Sequence, residues 1–167
     1  MPSTLERELA EDEYIVSTTN LSGRITSANE VLLRFSGYSL KELMGSQHNI
    51  LRHPDMPRAV FWLAWDALQA GEDFIGYVKN MNKDGSFYWV FAHITPEYDK
   101  NGEIIAYRSV RRRPRRAAIT GASALYAEML AAEQAVDARE AIPAGLAILK
   151  RHLGERGISY EQLVTAL

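Results

Sequence analysis

Cysteine is absent from the sequence, and so is any long hydrophobic run. Without cysteine the chain has no disulfides, no thiolate metal ligands and no thiol that could attack a substrate or bond covalently to a ligand. All apolar runs are shorter than the roughly 20 residues of a membrane-spanning helix, so we expect no direct insertion into a membrane. The acidic first residues also lack the apolar core of a signal peptide. These absences together predict a cytoplasmic protein.

A strong excess of one charge is also missing. The 167 residues carry a net charge of −2, and 24% of them are charged, which is ordinary for a globular protein that buries a core. The basic run "RRRPRR" at residues 111–116 is short and has no interleaved aromatic residues. We interpret it as a solvated linker or a partner-docking patch, and we expect no nucleic-acid partner.

The N-terminal part of the chain carries signals for a helix and a hairpin. Residues 1–12 are predicted to form a cap helix, because Ser3 and Glu6 have capping-box spacing and Leu5 and Leu9 share one helical face. Two β-rich runs then flank a turn at residues 20–23, which indicates a hairpin.

Three short helices are predicted next. Asn29 is a plausible N-cap for "EVLLRFSG", and "SLKELMG" contains a second capping box, Ser39 with Glu42. In "RAVFWLAWDALQAG" an apolar stripe includes Trp65, which favours a helix packed against a core.

Three strand-like runs follow: "FIGYVKN", "SFYWVFAHITPEY" and "EIIAYRSV". Separate groups of strands and helices indicate an α+β fold with a five-stranded antiparallel sheet and short helices over one face. Aromatic residues alternate with other apolar residues in the central run, so both sheet faces are apolar. Trp89 and Phe91 on the outer face need cover. We expect a homodimer through this face and the terminal helices; a monomer covered by its own terminal helices is the alternative.

A final segment, residues 114–167, is predicted to be a linker followed by a helical extension. It is alanine-rich, and Pro143 and the pair Gly154 and Gly157 divide it into about three helices.

The stretch "QHNILRHPDMP" at residues 47–57 concentrates ionisable groups. His48 and His53 are five residues apart, which is not the spacing of two ligands on one helical face, and prolines interrupt any longer helix. No G-x-S-x-G elbow is present for a hydrolase. We therefore expect neither a metal site nor catalysis, and interpret the stretch as one wall of a binding cleft. The alternative is that Arg52 pairs with Asp55 while His48 fills a gap in the core.

The order of elements and the motifs "FSGYSLKELMG" and "NKDGSFYWV" resemble PAS domains. The pair "GSQHNILRHPDMP" and "VKNMNKDGSFYWV" is more specific and resembles the FAD-binding PAS domains of bacterial aerotaxis receptors. The resemblance covers residues 13–113 and implies a PAS fold, with residues 1–12 as a cap helix and residues 114–167 as an unmatched extension. It implies a non-enzymatic sensor that binds FAD non-covalently and reports redox state to a chemotaxis or other signalling protein.

The same resemblance implies which residues contact the cofactor. Asn80 lies on the predicted cleft face of its strand, where a side-chain amide suits the pyrimidine ring of a flavin. The full set of expected contacts is Asn29, His48, Asn49, Arg52, His53, Asp55, Trp65, Phe74, Asn80, Val90 and Arg111.

Light-sensing flavin-binding PAS domains offer a second comparison. Their photoreactive cysteine aligns with His48, a second flavin-contacting asparagine with Val90, and a glutamine near flavin N5 with Arg111. The resemblance implies that no cysteine adduct forms and that Arg111 favours negative charge on the reduced ring. We hypothesise that Arg111 passes redox state to the linker. Two other readings stay open: a haem PAS domain with His48 or His53 as axial ligand, and a ligand-free interaction module.

Overall fold

Five antiparallel strands form one sheet in the order β2-β1-β5-β4-β3 in the computed structural model, which describes residues 1–167. The chain order of strands and helices is β1 (Ile15–Thr19), β2 (Ile25–Ala28), α1 (Glu30–Ser36), α2 (Leu40–Leu43), a 3-10 helix (His48–Leu51), α3 (Arg58–Gln69), β3 (Phe74–Met81), β4 (Phe87–Tyr98), β5 (Ile104–Arg112), α4 (Arg116–Gln134), α5 (Ala141–Arg156) and α6 (Tyr160–Ala166). The predicted α+β fold with five antiparallel strands is confirmed.

Local capping explains the short inner helices. The Asn29 side chain accepts a hydrogen bond from the amide of Leu32, and helix α1 ends at Gly37 in the left-handed conformation. Ser39 and Glu42 form the predicted capping box of α2. The predicted hairpin is also present as β1 and β2.

The prediction of an N-terminal helix is wrong. Residues 3–7 run beside the start of β4, where the amide of Phe87 donates to the carbonyl of Leu5 and the amide of Arg7 donates to the carbonyl of Phe87, and residues 11–12 form a turn. This part of β4 lies before its pairing with β5 begins at Phe91, so its backbone groups need another partner. A short isolated helix has only marginal stability in water, so the hydrogen bonds to β4 are the more stable arrangement.

The C-terminal extension, residues 114–167, packs against the domain as three helices, the predicted number. The first break lies at residues 135–140 and not at Pro143, which is in the first turn of α5, while Gly157 ends α5 as expected. Tyr126 of α4 stacks on Trp89 with ring centroids 6.2 Å apart and donates a hydrogen bond to the Tyr77 carbonyl. Tyr160 of α6 donates to the carbonyl of Ile75. The extension therefore covers the outer face over β3 and β4 and bonds to the free edge of β3. None of the helices has both the length and the apolarity needed to cross a membrane.

Candidate functional site

A cavity of about 290 Å³ lies between the inner face of the sheet, the 3-10 helix and helix α3. This volume is close to the lower end of the range, about 300–1,000 Å³, that is usual for small-molecule sites. Six of the eleven expected contact residues line it: His48, Asn49, Arg52, Trp65, Asn80 and Arg111.

Arg111 is the central charge of the cavity. The register of β5 against β1 and β4 places it on the inner face, where its side chain is 2% exposed. Its Nη2 donates to Ser17 Oγ at 2.5 Å and its Nη1 lies 3.3 Å from His48 Nε2, while its Nε has no hydrogen-bond partner. No carboxylate forms an ion pair with this guanidinium.

His48 is held neutral beside this charge. Its Nε2 lies 3.1 Å from Ser17 Oγ as well as near Arg111, so this nitrogen acts as an acceptor and the proton resides on Nδ1. Burial, followed by the nearby positive charge of Arg111, lowers the pKa of His48 from 6.5 to about 3. Burial also lowers the pKa of Arg111 from its ordinary value. The cavity thus contains one buried cation and a neutral imidazole.

Asn80 provides an amide on the same inner face of the sheet as Arg111, from the edge strand β3. It is 4% exposed, and its side chain makes a single, long hydrogen bond of 3.4 Å to the Tyr88 hydroxyl. A buried amide normally makes more and shorter hydrogen bonds. Its remaining donor and acceptor capacity is available to a ligand.

Helix α3 forms the apolar wall. Phe61, Trp65 and Leu68 line the cavity, as their spacing on one helical stripe predicts. The Trp65 ring meets the Tyr107 ring of β5 edge to face, 5.5 Å between centroids. Arg52 lies at the end of this wall, with its guanidinium 4.9 Å from the Phe61 ring centroid and Nη2 donating to the Met56 carbonyl. The wall therefore offers flat aromatic surfaces next to a second cation.

Two of the expected contacts instead organise the loop before α3. His53 is buried, and its Nδ1 accepts from the amide of Asp55. Asp55 pairs with Lys79 at 2.8 Å and not with Arg52, so the alternative Arg52–Asp55 pair is absent. Both side chains shape the turn that carries Arg52 and lie outside the cavity lining.

Three further expected contacts also lie outside it. Asn29 caps α1 and donates to the carbonyl of Tyr14. The Phe74 ring stacks on Tyr160 of α6, with 6.0 Å between centroids. Val90 is on the inner face but fully enclosed by the core.

Sequence reasoning missed part of what the interior strands β1 and β5 contribute to the cavity. Ser17, Thr19, Tyr107 and Ser109 line the cavity from β1 and β5. The alternating pattern of β1 carried the signal, since Ser17 and Thr19 share the face of the apolar Ile15. Which residues of β5 lie beside Ser17 and Thr19 follows only from the pairing register of β1 with β5.

The remaining polar clusters do not suggest a metal centre. No group of three or more histidine, aspartate or glutamate side chains is arranged to hold a metal ion. The basic run contributes only Arg111 to the cavity. Arg116 pairs with Glu6 and Glu8, and Arg113 lies 3.7 Å from Glu8, so the linker is tied to the N-terminal segment.

Comparison with known proteins gives the family. Residues 25–111, more than half of the chain, match the family model described as PAS fold. The aerotaxis receptor of Escherichia coli (strain K12) is 40% identical over 147 residues, 88% of this chain and 28% of the receptor. A nitrogen fixation regulatory protein of Klebsiella pneumoniae is 31% identical over 97 residues, 58% of this chain and 20% of that protein.

Solved structures agree on the fold. A light-oxygen-voltage domain from work on a flavin analogue has a TM-score of 0.58 at 24% identity, over 65% of this chain and 81% of that domain. At this identity the likeness shows the fold alone.

The match to the receptor reaches further than the motifs indicated. Only 113 residues precede the C-terminal extension, so at least 34 of the 147 aligned residues lie within it. The expectation that the resemblance ends near residue 113 is therefore wrong. The chain spans less than a third of the length of either curated relative.

Proposed function

Because this chain belongs to the PAS fold family, we propose that it is a sensor domain that binds FAD non-covalently and reports the redox state of the flavin to a signalling partner. The observation that carries the proposal is the buried guanidinium of Arg111, which has no acidic partner and an unbonded Nε. An isolated buried charge is costly unless a ligand or partner compensates it.

The residues of the cavity fit a flavin ring system. Asn80 has free donor and acceptor capacity for the pyrimidine edge, and Phe61 and Trp65 offer apolar faces for a flat ring. The cavity is too small for a whole dinucleotide, so Arg52 and Asn49 would hold the phosphates and the rest of the tail toward solvent.

The chemistry supplied by a bound flavin is the acceptance of one or two electrons. Arg111 would stabilise negative charge that develops beside it, because its own charge is already buried and oriented by Ser17 and His48. His48 stays neutral and adds no competing charge. Arg111 also lies next to the linker. A change in its hydrogen bonds would therefore occur only a few residues before the C-terminal extension begins.

The two other readings have less support. A haem would need a histidine nitrogen as axial ligand, yet His48 Nε2 is engaged by Arg111 and Ser17, and His53 lies outside the cavity lining. A ligand-free module gives no reason for an uncompensated cation in a cavity. Flavin binding therefore explains the cavity better than either haem binding or a ligand-free module.

The partner is proposed to be a chemotaxis or other signalling protein in the cytoplasm, in line with the similarity to an aerotaxis receptor. We also propose a homodimer, but through a smaller part of the outer sheet face than the sequence indicated. The extension covers Trp89, so a second copy would meet the open half of the outer face, where Val110 is 36% exposed, together with the terminal helices.

Absorption spectra and a reductive titration of the purified protein test this function. We expect the two bands of oxidised flavin. In Arg111→Gln the one-electron midpoint potential should fall by roughly 60 mV or more, a tenfold change in the redox equilibrium. Protease cleavage in the linker should respond to reduction in the wild type and not in this variant.

Arg108→Gln is the matched control, because Arg108 lies on the same strand but pairs with Glu97 at the surface. A Soret band would favour haem, and a colourless protein that binds no added flavin would end the proposal. An Arg111→Gln protein with an unchanged potential and unchanged linker cleavage would remove Arg111 from the redox response.

A further inference from the structure

Helix α3 lacks an N-terminal cap of its own. The residue before it is Pro57, which makes no side-chain capping bond, and its first turn contains no acidic residue. The free amides at a helix start need acceptors, and a negative charge there is favourable. The sequence around α3 supplies neither.

Glu133, from the other end of the chain, supplies both. It belongs to the last turn of α4 and is 5% exposed. Its Oε1 and Oε2 accept from the amide of Arg58 at 2.6 and 2.9 Å, and Oε1 also lies 3.3 Å from the amide of Ala59. We call this set of contacts, Glu133 with the Arg58 and Ala59 amides, the Glu133 clamp.

Gly145 of α5 encloses the clamp. A Cβ atom at this position would lie 2.9 Å from Ala59 Cβ and 3.1 Å from Glu133 Cδ and Cγ. Glycine weakens a helix interior by about 0.5–1 kcal/mol relative to alanine, so its presence here has a packing reason. Its lack of a side chain lets α5 lie against α3 and exclude water from the carboxylate.

Both ends of helix α4 lie close to parts of the ligand cavity. Its last turn carries Glu133, which holds the start of α3. Helix α3 carries Phe61 and Trp65 of the cavity wall and follows directly on the loop that holds Arg52. At its other end, α4 begins a few residues after Arg111. The position of α4 is therefore coupled to two separate parts of the cavity.

We propose that Glu133 is a positioning residue of the ligand cavity, which couples docking of the C-terminal extension to occupancy of that cavity. The extension holds the start of α3 in the place that ligand binding needs. By thermodynamic reciprocity, a bound ligand then holds the extension in its docked position. This inference rests on the proposed function, because it requires that the cavity bind a ligand. FAD is the ligand used to test it.

Amide hydrogen exchange, proteolysis and FAD release in the full chain test the clamp. In Glu133→Gln we expect exchange at Arg58 and Ala59 to become about tenfold faster, as loss of a cap of about 1.4 kcal/mol implies. FAD should dissociate several-fold faster. Added FAD should slow tryptic cleavage after Arg139, between α4 and α5, in the wild type and much less in the variant.

Two further variants make the test specific. Gly145→Ala leaves the charge in place and displaces α5, so it should act in the same direction as Glu133→Gln. Glu128→Gln is the matched control: Glu128 lies on α4, and its hydrogen bonds and ion pairs go to Arg151 and His152 of α5 and not to α3. We expect exchange at Arg58 and Ala59 to keep its wild-type rate in this control.

The outcomes separate this inference from the flavin proposal. If the wild type binds no FAD, the proposed function fails, and the exchange rates in Glu133→Gln still show whether the clamp exists. If FAD binds and the variant loosens the extension without changing FAD release, the coupling is refuted. Equal effects of Glu128→Gln and Glu133→Gln would refute the clamp itself.

Discussion

The charge on Arg111 sets the chemistry of the cavity at the scale of single residues. A guanidinium with 2% exposure and no carboxylate partner carries an uncompensated desolvation cost. Ser17 and His48 satisfy part of its hydrogen bonding without neutralising its charge. Such an arrangement is suited to a ligand that is negative or becomes negative.

His48 makes stability depend on pH in a defined window. Its pKa is about 3 in the folded chain against an ordinary value of 6.5, so the unfolded chain binds more protons between these values. Its contribution is complete above pH 6.5 and is lost as the pH falls toward 3. From pH 7 to pH 5 we expect a loss of up to about 2 kcal/mol from this group.

Urea unfolding of the wild type and of His48→Gln at the two pH values measures this contribution. Glutamine keeps a hydrogen-bonding side chain and removes the titration, so the two proteins should differ by that amount in their response to pH. An identical response would show that His48 does not titrate in this range.

At the scale of the elements, short-range capping decides where the inner helices begin and end. The Asn29 case is informative, because this residue was expected to contact the cofactor and the structure uses it as a helix cap. Its Oδ1 accepts from the amide of Leu32, and its Nδ2 donates to the carbonyl of Tyr14. The side chain thus fixes the start of α1 against Tyr14, the residue that precedes β1.

Replacing Asn29 by alanine should lower the free energy of unfolding by about 1 kcal/mol. Asn29→Asp keeps the acceptor for Leu32 and should lose less. Flavin retention at low temperature should be unchanged in both, since the side chain lies outside the cavity lining. Loss of flavin from a stably folded Asn29→Ala protein would contradict this and restore the contact role.

The N-terminal segment shows the limit of such local signals. Ser3 and Glu6 have a capping-box spacing, yet the segment forms no helix. It bonds instead to the backbone amide and carbonyl of Phe87 in β4, which would otherwise lack partners. Glu6 also pairs with Arg116 at the start of α4. The competing partner lies far away in the sequence, so no local pattern reveals it.

At the scale of the whole molecule, the extension replaces a second subunit as cover for part of the sheet. Tyr126 stacks on Trp89, and Ala118, Ala122 and Met129 of the same helix are also buried. Covering this apolar face within one chain makes the face unavailable to other copies while the extension is docked.

A chain truncated after Arg113 should therefore self-associate at least tenfold more tightly than the full chain, as removal of the extension uncovers Trp89 and Tyr77. Sedimentation velocity over a concentration series measures this. Trp89→Ser in the truncated chain is the control and should weaken association, with circular dichroism used to verify folding. Equal sedimentation of the truncated and full chains would show that the face has no tendency to pair.

The sequence by itself determined the elements that depend on neighbouring residues: the hairpin, the capped helices α1 and α2, the apolar stripe of α3, and the inward position of Asn80. These follow from periodicity and capping, whose partners lie within a few residues. Only the tertiary structure decided that Arg111 meets Ser17 and His48, that Phe74 turns to Tyr160, and that Glu133 caps α3. Those contacts join residues dozens of positions apart, and strand register and helix docking are set by the burial of the whole core.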